Sequence, residues 1–155
     1  MKFPSLALLL LSLAAAAQTP PPVTVSVSEQ RTLTSVKIGQ RYELLVSLPE
    51  GYAKSSEPFP VLYVLDGWHF PLMAFLQNNN IYSERMRPVI IVNISHGAGD
   101  YMSLRARDFT PTKTSENANS GGAAAFLDFL EHELIPYVDR TYRTIPADRA
   151  LLGHS

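Results

Sequence analysis

The 155-residue chain contains no cysteine. That absence excludes a disulfide framework, and it excludes a start anchored through a lipidated cysteine. No apolar run is long enough to cross a bilayer: the stretch Leu6 to Ala17 has twelve residues, where a span needs roughly 18 or more. Charge is sparse and nearly balanced, with 13 Lys and Arg against 14 Asp and Glu. Such a balance gives no field of one sign to attract a phosphate backbone or an anionic lipid surface, so neither nucleic acid nor membrane is an expected partner. With 46% hydrophobic residues the chain has the material for a packed core.

What is present begins with Lys2, the apolar stretch to Ala17 and the small residues Ala15 and Ala17 at its end. A charged start, a short apolar centre and an Ala-x-Ala finish predict a secretory signal peptide over residues 1–17. Cleavage would remove Lys2 and leave 12 − 14 = −2. The product is expected to be exported, periplasmic or secreted by a bacterium, without stable membrane insertion. Residues 18–29 read as a stiff lead-in, with Pro20, Pro21 and Pro22, followed by a first strand in which Val23, Val25 and Val27 alternate with polar residues. Residues 30–155 read as the body of one α/β domain.

Arg41 to Leu48 is a second strand, preceded by Gly39 and closed by Pro49-Glu50-Gly51, so the first two strands predict an antiparallel start to a sheet. Ala53 to Pro60 is a polar, proline-flanked loop. Val61 to Leu65 and Val89 to Ile94 are apolar or nearly so throughout, as strands covered on both faces are. Between them, Phe70 to Arg87 predicts a helical crossover, interrupted by Asn78-Asn79-Asn80, and hence a parallel pair. Ser95 to Ser120 shows no period and reads as a long loop. Phe126, Leu127, Leu130 and Leu134 recur at helical spacing within Ala123 to Ile135, and Pro136 is expected to interrupt that helix before a further turn over Tyr137 to Tyr142. Arg149 to Leu152 is a further buried strand. Strand, crossover, strand, loop, helix, strand is α/β architecture.

The chemistry concentrates at Gly153-His154-Ser155, directly after that strand. An α/β-hydrolase presents its nucleophilic serine on such a turn between a buried strand and a helix. Gly153 would be small because the turn brings backbones together, and His154 would be a neighbour of the nucleophile, since adjacent side chains on a tight turn point apart. The acid and the histidine of such a triad follow the serine in chain order. They are therefore expected beyond residue 155, and this stretch is expected to be the N-terminal part of a hydrolase that is inactive by itself. His69, His96 and His132 have no metal-binding spacing, and the sequon Asn93-Ile94-Ser95 falls on a strand expected to be buried.

Four blocks, Val61–Gly67 (VLYVLDG), Arg105–Thr112 (RARDFTPT), Gly121–Thr144 and Arg149–Ser155 (RALLGHS), resemble in this order the Putative esterase family of α/β-hydrolases, the esterase D type. The similarity runs over roughly residues 30–155 and is nearest to exported bacterial siderophore trilactone esterases. It implies an α/β-hydrolase fold and a serine hydrolase that cleaves carboxylic esters through an acyl-enzyme, without metal or organic cofactor. The implied partner is a small-molecule ester, either a siderophore lactone or an aryl or short-acyl ester. Carried over by position, Ser155 matches the nucleophile and Gly67 the region donating a backbone N–H to the oxyanion. Asp66-Gly67 could also be an ordinary strand-ending turn. Trp68, with His69 and Phe70, lines a pocket or merely packs. Arg105 and Arg107 match a motif at the mouth of the site, where a guanidinium would bind an anionic substrate oxygen, although one of them pairing with Asp108 is an equal alternative. Two other functions use the same residues: a non-catalytic binding protein of this fold, and an acyltransferase to a sugar or lipid hydroxyl.

Overall fold

A computed structural model describes residues 28–67 and 87–154. The predicted signal peptide, the strand over Val23 to Val27, the crossover from Phe70, Trp68 and Ser155 all lie outside the described residues. Five strands form one mixed sheet: β1 (Glu29–Thr34), β2 (Arg41–Ser47), β3 (Phe59–Val64), β4 (Ile90–Ser95) and β5 (Thr144–Leu152), in the spatial order β1-β2-β4-β3-β5. β1 and β2 form an antiparallel pair, with Glu29 opposite Val46 and Thr34 opposite Arg41. β2 runs antiparallel to β4, whereas β3 runs parallel to both β4 and β5. The register of β3 against β5 shifts between Phe59 and Val61, at Pro60, which has no N–H to give to a ladder.

The core lies on one face of this sheet. Tyr42, Leu44 and Val46 of β2, Val61 and Tyr63 of β3, and Ile90, Val92 and Ile94 of β4 point to the same side, as alternation along a strand requires. Phe126, Phe129, Leu130, Leu134 and Val138 cover them from one long helix. Tyr42 and Phe129, both fully buried, stack with ring centroids 4.4 Å apart. On the opposite face Val64, Val89 and Ile91 form a second cluster. Both faces are therefore apolar at β4, which is why its sequence does not alternate.

The long helix comprises α2 (Ala123–Phe129), a π-helical turn over Leu130–Leu134 and α3 (Ile135–Thr141). The expected interruption at Pro136 takes this form: the Ile135 N–H reaches the Leu130 carbonyl five residues back, and the wider turn admits the proline without ending the helix. Its polar side is not simply solvated. The Glu133 carboxylate accepts from the Ser35 hydroxyl and the backbone N–H groups of Val36 and Lys37, capping the turn between β1 and β2. Asp128 pairs with Lys37.

Three expectations need correction. The region Ser95 to Ser120 is not structureless: it contains α1 (Tyr101–Phe109), whose N-cap Asp100 accepts from the Met102 N–H and the Ser103 hydroxyl. Hydrophobic periodicity missed it because its one buried residue is Asp108. The strand that pairs with β2 is the polar, largely exposed Glu29–Thr34. Arg149 to Leu152 is the end of a longer strand, and it is not buried among the described residues: β5 is the outermost strand there, with Leu151 and Leu152 about half exposed.

Candidate active site

β3 and β5 are parallel neighbours, so their C-terminal ends emerge side by side. Such strand ends are where open α/β sheets bind ligands. After β3 the chain turns at Asp66, the one non-glycine residue with positive φ (54°) among the described residues. Aspartate tolerates this left-handed conformation better than most residues. The turn presses Gly67 onto β4: a Cβ at position 67 would stand 2.3 Å from Asn93 Cβ and 2.5 Å from its Cα. Only glycine fits there. After β5, Leu65 donates its N–H to the Leu152 carbonyl at 2.9 Å, extending the parallel pairing into the second turn. Gly153 then passes Leu65 with a would-be Cβ 3.3 Å from Leu65 Cδ1.

α1 joins the two turns. The Asp66 carboxylate accepts from the Tyr101 hydroxyl at 2.6 Å and from Arg105 Nε at 2.9 and 3.0 Å. Arg105 Nη2 in turn donates to the His154 carbonyl at 2.6 Å, and its guanidinium lies 5.3 Å from the Phe109 ring centroid. Partial burial, with the Asp66 carboxylate as acceptor, pushes the Tyr101 hydroxyl above its ordinary titration range and keeps it a neutral donor. A cleft of about 280 Å³ adjoins α1, lined by Met102, Arg105, Ala106, Phe109 and Asn117.

The two arginines expected at the mouth are thus placed differently. Arg105 faces the paired turns. Arg107 pairs with Asp108, through Nε at 2.7 Å and Nη2 at 3.0 Å, which is the alternative the sequence left open. Asp108, 1% exposed, also accepts from the Tyr42 hydroxyl at 2.6 Å and from His96 Nε2 at 3.0 Å. Burial by itself raises the Asp108 carboxyl, but the bonds from His96, Arg107 and Tyr42 outweigh it and the net direction is down. Asp108 therefore carries charge at neutral pH. It fastens α1 to β2 and to the end of β4.

Sequence reasoning did not find Tyr101, Tyr42, His96 or the carboxylate of Asp66 as members of these networks. The pairing of Arg107 with its neighbour was legible. That of Arg105 with Asp66, 39 positions away, was not. Asn93, of the sequon, is fully buried on β4 with Nδ2 donating to the Leu45 carbonyl at 3.2 Å, so a glycan has no room there. Among the described residues no three His, Cys, Asp or Glu side chains gather as a metal site, and no helix is long and apolar enough to cross a membrane.

The family model described as Putative esterase matches residues 35–155. Ferri-bacillibactin esterase BesA of Bacillus subtilis (strain 168) is 29% identical over 151 residues, 85% of this chain and 50% of that protein. An IroE-like serine hydrolase from Shewanella oneidensis is 36% identical, with a TM-score of 0.71 over 82% of this chain and 42% of the other. The siderophore hydrolase EstB from Aspergillus nidulans is 28% identical, with a TM-score of 0.69 over 88% of this chain and 51% of the other. The chain spans about half the length of the relatives it matches. The mixed sheet with its covering helix matches about half of an α/β-hydrolase fold.

Proposed function

Since this chain belongs to the Putative esterase family, matched over residues 35–155, we propose that the full-length protein is an exported serine hydrolase of carboxylic esters. Ser155 Oγ attacks the ester carbonyl, the C–O bond breaks, and the alcohol leaves with a proton. Water then cleaves the acyl-enzyme and releases the acid. The backbone N–H of Gly67 donates a hydrogen bond to the carbonyl oxygen as negative charge develops on it. Loss of one such donor costs about 3 to 4 kcal/mol of transition-state stabilisation. Trp68 and Arg105 border the substrate. Arg107 is paired with Asp108. Two of the relatives named above are a ferri-bacillibactin esterase and a siderophore hydrolase, and the substrate class proposed here is a siderophore lactone or a related aryl or short-acyl ester.

The observation that supports this reading most is the adjacency of the two turns, Asp66-Gly67 and Gly153-His154, at the ends of neighbouring parallel strands. Gly67, with no space for a side chain against Asn93 of β4, belongs to the first of these turns, and β5 leads through the second towards Ser155. Replacement of Ser155 by alanine in the full-length protein is expected to abolish hydrolysis of p-nitrophenyl acetate. A fluorophosphonate should label the unmodified protein once, on the peptide that carries Ser155. Unchanged turnover by the alanine variant would refute the assignment.

A further inference from the structure

We infer that Arg105 is a positioning residue, which with Asp66 and Tyr101 clamps the Gly67 turn to the Gly153-His154 turn. The role deepens the function proposed above and rests on it. Four observations carry it. Asp66 holds a backbone conformation that a residue with a Cβ adopts at a cost, and three donor contacts on its carboxylate, at 2.6, 2.9 and 3.0 Å, hold it there. Gly67, the next residue, is pinned from the other side by Asn93. The guanidinium that grips Asp66 also donates to the His154 carbonyl at 2.6 Å. That carbonyl belongs to the planar peptide unit leading into residue 155, so fixing it fixes the direction from which the chain reaches the proposed nucleophile. One side chain, 21% exposed, therefore sets the spacing of two segments about 90 positions apart in sequence, through a charge-assisted bond at each end.

This geometry separates the clamp from a guanidinium that reads substrate charge. A substrate reader acts on KM and only for anionic esters. A clamp acts on kcat, and for every ester alike, because it holds the attacking group and the oxyanion donor in register. The test uses the full-length protein with two substrates, neutral p-nitrophenyl acetate and the anionic p-nitrophenyl hydrogen succinate. Loss of turnover in Ser155→Ala tests the underlying assignment on its own. Arg105→Ala and Asp66→Ala are each expected to lower kcat roughly 10- to 100-fold on both esters, since a small misplacement of reacting groups costs that much, with KM within a factor of about two. The double variant should be no slower than the worse single one, because both remove the same clamp. Arg105→Lys should restore part of kcat by supplying one of the two bonds. Where the alanine variants fail to fold, Tyr101→Phe, which removes a single hydroxyl from Asp66, should lower kcat about fivefold at unchanged KM. A KM increase confined to the anionic ester would overturn the clamp and make Arg105 a substrate ligand. Fully multiplicative losses in the double variant, or an unaltered kcat in Tyr101→Phe, would also overturn it.

Discussion

Two aspartates on this molecule receive nearly the same set of donors and do different work. Asp108 accepts from Arg107, the Tyr42 hydroxyl and His96; Asp66 accepts from Arg105 and the Tyr101 hydroxyl, and in both the tyrosine bond is 2.6 Å. Asp108 is 1% exposed and joins a helix to the sheet behind it, whereas the Asp66 side chain is 12% exposed and joins two turns at the sheet's end. Burial strengthens a satisfied charge network and makes a broken one costly. Nearer to water the same groups add little to folding and serve geometry instead. Stability should therefore follow the inner aspartate, and turnover the outer one.

The largest difference should come from Asp108→Ala, which leaves two buried donors and a guanidinium without their acceptor and is expected to cost about 3 to 5 kcal/mol in urea unfolding. Asp66→Ala is expected to cost about 1 kcal/mol by the same measurement. Equal losses would break the comparison. Next in size, Gly67→Ala forces a Cβ into Asn93 and should cost about 2 to 3 kcal/mol as an overpacking change. Unaltered stability of that variant would show that the outer turn is not pinned by packing.

Acid sharpens the contrast further. Because the folded-state pKa of Asp108 lies below its ordinary 3.8, its contribution is fully present above that value and is lost as pH falls through the lower, folded one. Thermal unfolding followed from pH 7 to pH 2.5 should show a steeper acid loss for the unmodified protein than for Asp108→Asn. Parallel curves would mean that the network does not hold the charge. The hydroxyls repeat the contrast: Tyr42→Phe should cost about 1.5 kcal/mol and Tyr101→Phe, the smallest effect expected, about 0.5 kcal/mol, since only the former abandons a deeply buried acceptor.

The parts legible in the sequence are those whose stability comes from apolar contact. β2 to β4, and the helix that begins at Ala123, show themselves by alternation, by unbroken apolar runs and by three- and four-residue steps. α1 does not, because it is fastened by Asp108, Arg105 and Arg107 and presents no apolar stripe. Asp100 with Ser103 three residues on was a readable capping signal for it. β1 was obscured because most of its residues are exposed, so no alternation was imposed on them. At the site, Asp66-Gly67 and Gly153 were readable as turns after apolar strands. The link between them through Arg105 depends on how the chain returns across the sheet, which no local pattern records.

The buried Asn93-Ile94-Ser95 triplet also has a practical consequence for producing the protein. Glycan attachment acts on nascent polypeptide, before β4 has taken its place, and so is not prevented by burial in the finished fold. A sugar on Asn93 Nδ2 would have to displace its bond to the Leu45 carbonyl at a fully buried position on β4. Expression through a eukaryotic secretory route would thus trap a share of the molecules before they finish folding, and Asn93→Asp would not rescue them, because it places a carboxylate in a fully enclosed position.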